Sequence, residues 1–187
     1  LVLLAILPAF ASAATTYFRG KESWKPASGK AEENEAFVMI TISDKKDSIT
    51  QAIIRRTATT AKNMTVRREV TEIKKGLDGA WTSVLAGGNQ PQPTVVSFAG
   101  NNLVSLSRVA TIPNGRKASI NVTFPHPRVF LLEAVVSEPN GNKVFSTSLE
   151  AGEILESQFK KAIANFKIED LKPGQRPAGA PAAPQKK

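Results

Sequence analysis

The chain of 187 residues has no cysteine and only one histidine, His126. Without cysteine there is no disulfide framework, no thiolate nucleophile and no Cys-based zinc site. A single histidine excludes a multi-His metal centre. No G-x-S-x-G elbow is present to complete a Ser-His-Asp arrangement. The stretch "AGGNQPQP" has two glycines but no Lys-Ser/Thr after them, so it reads as a loop and not a phosphate cradle. Acids such as Glu69 and Glu72 stand among basic residues and read as cross-strand partners. Aromatics are 6% of the chain, with one tyrosine, and they are not interleaved with the basic residues as a single-strand nucleic-acid binder requires. These absences point away from an enzyme, a metal or cofactor protein and a nucleic-acid partner. His126 lies between two prolines in "FPHPR", which reads as a rigid turn at one end of the domain. The alternative role for one histidine is an axial haem ligand.

What is present begins with an apolar run from Leu1 to Phe10, followed by Ala11-Ser12-Ala13. An apolar stretch ending in A-x-A marks a secretory signal peptide, here partial and cut after Ala13. The run is too short to span a bilayer, and nothing later resembles a transmembrane helix. With no cysteine, an exported chain is expected in a bacterial periplasm or medium rather than among disulfide-rich eukaryotic secreted domains. At the other end, residues 172–187 ("KPGQRPAGAPAAPQKK") carry Lys172, Arg176, Lys186 and Lys187 and no acid, supplying 4 of the net +9. That composition builds no core and reads as a disordered tail. It also offers a tether to an anionic envelope surface.

Between these ends the pattern is strand and turn. Ten segments read as strands: Tyr17–Trp24, Ala36–Ser43, Ile49–Thr57, Met64–Lys74, Ala80–Ala86, Pro93–Ala99, Leu103–Ile112, Lys117–Phe124, Val129–Ser137 and Lys143–Leu149. Several connectors, including Leu77-Asp78-Gly79 and Pro139-Asn140-Gly141, supply residues that tolerate positive φ. Short connectors make each strand pair with the one before it. An antiparallel meander this long hides its edges by closing into a barrel. The fold class expected is therefore all-β, a closed meander of about ten strands over residues 14–171, with one C-terminal helix. In "EILESQFKKAIANFKIEDL", Leu155, Phe159, Ile163 and Phe166 recur on one face of a helix of about four turns. Its apolar stripe is expected to dock on the barrel. The strand from Val129 to Ser137 is apolar on both faces, interrupted only by Glu133, so the helix is expected to cover its outer side.

Four side chains are candidate ligand contacts. Arg68 shares a face with Met64, Val66 and Val70, and Arg108 shares one with Val104, Leu106, Ala110 and Ile112. A guanidinium on an inward apolar face needs a partner, either an internal acid such as Glu22 or Glu72 or a bound anion. Trp24 and Trp81 sit at strand ends, where a large aromatic closes a barrel as core or stacks on a ligand.

A strand meander, a tryptophan in the first strand and a C-terminal amphipathic helix together resemble the calycin superfamily of lipocalin-like barrels, over roughly residues 15 to 168. In place of the usual Gly-x-Trp this chain has "GKESW", Gly20 to Trp24. The resemblance implies a cup for a small apolar or amphiphilic molecule. The reading is an exported, non-enzymatic protein that binds a small apolar or anionic amphiphilic ligand in a barrel pocket. The alternatives are a β-sandwich interaction module of the cell envelope and a small outer-membrane barrel. The second lacks the aromatic girdles that such barrels carry.

Overall fold

The computed structural model describes residues 13–58, 64–84, 90–111 and 115–170. The signal segment expected at 1–13, all but its last residue, and the tail expected at 172–187 lie outside them. Ten strands run up and down in chain order: β1 (Ala14–Pro26), β2 (Glu32–Ile42), β3 (Ser48–Ala58), β4 (Met64–Lys75), β5 (Trp81–Val84), β6 (Gln92–Ala99), β7 (Asn102–Thr111), β8 (Lys117–His126), β9 (Val129–Ser137) and β10 (Lys143–Ile154). Each pairs antiparallel with the next, and β10 pairs with β1. β5 is the narrow link that closes the ring. It meets β4 from Glu72↔Val84 to Lys75↔Trp81 and β6 from Trp81↔Thr94 to Ser83↔Gln92. The expected closed antiparallel barrel is therefore the fold. Closure also rules out the sandwich, in which two sheets keep free edges. Gly79 and Gly141 take φ of 83° and 89° in their turns, as the sequence requires.

The inward residues come from alternate positions of every strand. At one end they are apolar. Phe18, Phe124 and Phe130 form a triangle with ring centroids 5.6 to 6.1 Å apart, backed by Ile40, Ile49 and Ile73. Lys21, Glu33, Ser107 and Asn121 stand on the outer wall. An apolar core inside a polar wall is the reverse of a membrane barrel.

The expected helix is shorter than its apolar spacing implies. α1 runs from Glu156 to Ile163, because the chain up to Ile154 still belongs to β10, with Ile154 opposite Tyr17 of β1. The Leu155 N–H donates to Gln158 Oε1 at 3.0 Å and starts the helix. Glu156 in the first turn and Lys160 and Lys161 in the last suit the helix dipole. The helix does dock on the barrel, but on another wall than expected. Phe159 packs on Tyr17 (4.9 Å) and Phe37 (6.1 Å), with Ile54 and Val66 beside them, so it covers the outer face of β1 to β4. The outer side of β9 is left partly exposed, Val135 being one of its exposed residues. Burying one such phenylalanine contributes about 2–3 kcal/mol.

After the helix the sequence shows no strand signal, yet Ile168–Asp170 form β11. It lies parallel to β4, with Ile168 opposite Val66 and Asp170 opposite Arg68. β4 thus has β3 on one side. On the other it meets β11 along one stretch and β5 along another.

Candidate functional site

The inward positions away from the phenylalanine triangle are polar. β1 contributes Glu22 and Trp24, β2 Asn34, β3 Arg55 and Thr57, β4 Glu69, and β7 Arg108. Glu22 is fully buried. Its Oε2 accepts from Arg55 Nε at 2.5 Å, and Arg55 Nη1 lies 2.5 Å from Glu69 Oε2. Burial alone would disfavour the Arg55 charge, but Glu69 and then Glu22 outweigh it and hold the guanidinium above its ordinary value. Glu22 takes the place expected for an internal acid, with Arg55 as its partner. Glu72, the other acid offered, faces outward and pairs with Lys74 at 2.9 Å.

Arg108 is 7% exposed and lies between Thr94 of β6 and Ile120 of β8. It makes no ion pair with any acid among the described residues, and the stretches outside them contain no Asp or Glu. Its Nε has no protein hydrogen-bond partner. Burial pushes the guanidinium down to about 10, with Glu69 opposing. At neutral pH this is a buried cation without a carboxylate. Other buried atoms in the same half also lack protein partners: Glu22 Oε1, Trp24 Nε1, Asn34 Nδ2, Thr57 Oγ1 and Thr147 Oγ1. Native interiors leave few such atoms unpaired, and a cluster of them calls for an explanation.

The four sequence candidates fall in different places. Arg108 faces inward, as read. Arg68 does not. Its side chain lies on the outer face, where Nε and Nη2 donate to Asp170 at 2.6 and 3.1 Å. The face that Val66, Arg68 and Val70 share is the outer one and not the core face the alternation predicts, and Val66 is apolar because α1 covers it. Of the neighbours Arg67 and Arg68 the inward one is Arg67, directly opposite Arg55. Trp24 is buried at the polar end, stacked on Phe145 at 5.0 Å. Trp81 lies against Phe98 at 6.4 Å and packs on the apolar core, so the two tryptophans do not share a site. His126, expected in a turn, is the last residue of β8 and pairs with Val129; the Arg128 N–H donates to its Nδ1 at 3.2 Å.

Sequence reasoning reads Glu69 as a cross-strand partner, which its ion pair with Arg55 bears out, but it does not single out Arg55, Asn34 or Gln51 as inward polar side chains. The signal for two of them was the alternation Ile49, Gln51, Ile53, Arg55 along β3. It was masked by Ala52 and Ile54, which are apolar on the opposite face because that side of the wall is covered too. Among the described residues no cluster of His, Asp and Glu is arranged to hold a metal, and no helix is long and apolar enough to cross a membrane. Two grooves lie on the outer wall. One of about 310 Å³ is bordered by Val95, Ser107, Val109 and Asn121, and one of about 380 Å³ by Lys21, Glu33, Leu131 and Glu150.

No family model matches the chain, and no curated protein does. Among solved structures it is similar to the S-type phycobiliprotein lyase CPES from Guillardia theta, with 13% identity, 75% of this chain and 86% of that chain covered, and a TM-score of 0.49. It is also similar to the odorant binding protein OBP1, with 12% identity, coverage of 80% and 78%, and a TM-score of 0.32. The architecture itself, a closed ten-strand antiparallel barrel with a helix after its last stave, is calycin-like.

Proposed function

We propose that this is an exported, non-enzymatic binding protein whose barrel takes a small anionic ligand at its inner polar end. The observation that carries the reading is Arg108: a guanidinium 7% exposed, with no carboxylate partner and an unpaired Nε. A buried unpaired charge is costly, and a bound anion relieves that cost. Of the ligand types expected from the sequence, apolar and anionic amphiphilic, this favours the anionic one. Arg108 and Trp24 remain its candidate contacts. Arg68 and Trp81 stand away from the polar end. Export is supported by the A-x-A pattern and by the start of β1 at Ala14, the residue after the expected cut.

The test is native mass spectrometry of the chain purified from its own host without detergent. A bound small anion, lost in Arg108→Gln, is the expected result. A bare mass for the wild type would turn the search to partners on the outer wall. That second reading, an interaction module of the envelope, is favoured by Val95 and Val109, which are 68% and 59% exposed beside the outer groove. In either case the basic tail provides contact with an anionic surface.

A further inference from the structure

The unpaired atoms of the inner polar end differ in what they can bond. Arg108 Nε, Trp24 Nε1 and Asn34 Nδ2 only donate. Glu22 Oε1 only accepts. The hydroxyls of Thr57 and Thr147 do either. All belong to side chains at most 7% exposed, so bulk water does not serve them. They are also arranged. Trp24 stands opposite Thr147, and Glu22 opposite Asn34, on the adjoining strands β10, β1 and β2. Arg108 is on β7, separated from β10 by β8 and β9.

Charge sets a second condition. The inner end holds two carboxylates, Glu22 and Glu69, and three guanidiniums, Arg55, Arg67 and Arg108, a surplus of one positive charge. One negative charge balances that surplus. A second would face Glu22 and Glu69. A plain fatty acid supplies that charge and satisfies donors, but its carboxylate has nothing to give to Glu22 Oε1. We propose that the ligand is a monoanion that also carries hydrogen-bond donors, a hydroxylated carboxylic acid rather than a simple fatty acid. Its carboxylate is held by Arg108, and one hydroxyl donates to Glu22 while others accept from Trp24 and Asn34. The proposal rests on the binding reading above and narrows its ligand class.

The test is titration calorimetry of the full chain with two probes: gluconate, a carboxylate with hydroxyls, and octanoate, a carboxylate without. Gluconate is expected to bind at least tenfold more tightly. Trp24→Phe, which removes the indole N–H, should weaken it at least tenfold, and Val109→Ser on the outer wall should leave it unchanged. If Trp24→Phe fails to fold, Thr147→Val replaces it with the same expectation. Tighter binding of octanoate, or gluconate affinity untouched by the inner variant, overturns the hydroxyl-donor inference and leaves the anion-binding reading standing. No heat with either probe, together with a bare native mass, overturns both and assigns the polar end to internal water.

Discussion

Glu22 and Arg55 meet at 2.5 Å inside the barrel although a whole strand, β2, lies between theirs. The position between is Ala36, which pairs with Gly20 on one side and Arg55 on the other. Its small side chain leaves the guanidinium room to reach across. Removing the cation would leave two carboxylates, one fully buried, without a counter-charge. Arg55→Leu is therefore expected to lower stability by about 3–5 kcal/mol. An unchanged urea midpoint in that variant would show that the triad does not hold this end of the barrel.

Arg108 should behave in the opposite way. It is a charge whose burial the fold tolerates without an ion pair. Arg108→Met is expected to raise the stability of the ligand-free chain, by on the order of 1–4 kcal/mol, and to abolish binding. The pH dependence follows from the direction of the shift. The folded value, about 10, lies below that of an ordinary guanidinium, so the folded state binds this proton less well than the unfolded chain. The cost is fully present at neutral pH and is relieved as pH rises through the folded value. The stability gap between variant and wild type should stay flat around neutrality and narrow above about pH 10, as urea midpoints measured across that range would show.

At Gly20 the fold forbids a side chain. A Cβ there would collide with the Glu150 carbonyl oxygen and come within 2.6 Å of Ala151 Cα, both backbone atoms of β10. Gly20→Ala should cost about 1–3 kcal/mol through a forced shift between β1 and β10. A thermal midpoint equal to the wild type would show that the two strands part without penalty.

Phe159 holds the helix to the wall. Truncation to alanine should cost about 3 kcal/mol and expose the outer residues Phe37 and Ile54. Hydrogen exchange should then quicken in α1 and β11 before it does in β1 and β2. Equal protection in all four elements would place the helix's hold elsewhere.

The β11 clasp should answer to acid. Hydrogen bonding from Arg68 holds the Asp170 carboxyl below its ordinary value of 3.8. With the folded value depressed, the contribution is fully present above that ordinary value and is lost as pH falls through the folded one. NMR signals of 168–170 should stay unchanged from neutrality down to the ordinary aspartate range and shift only below it. In Asp170→Asn the acid step should vanish.

The strand meander and its closure were legible because alternation and turn glycines are local signals. The wall that receives the helix and the side on which Arg68 lies were not. Both depend on what sits outside the barrel. The run Ala36-Phe37-Val38-Met39-Ile40 is the most continuous apolar stretch of the wall, and it lies under α1. Val129–Ser137 looked equally two-sided, yet its outer residues remain partly exposed. Alternation shows that two faces differ, but it cannot say which is inward once both are covered. Arg108 was placed correctly because nothing packs over its stretch of wall and Val109 remains exposed. Arg55 was hidden because something does.

The pairing of β11 with β4 has a further consequence. Ile168 to Asp170 occupy backbone groups of β4 that face away from β3 and are not reached by β5. Without that short segment, a strip of β4 would offer its amides and carbonyls to any extended peptide, including the same segment of a second molecule. A chain cut before Ile168 would then be prone to exchange strands between copies. These three residues therefore bear on the protein's colloidal behaviour: they keep the barrel from becoming a building block of polymers.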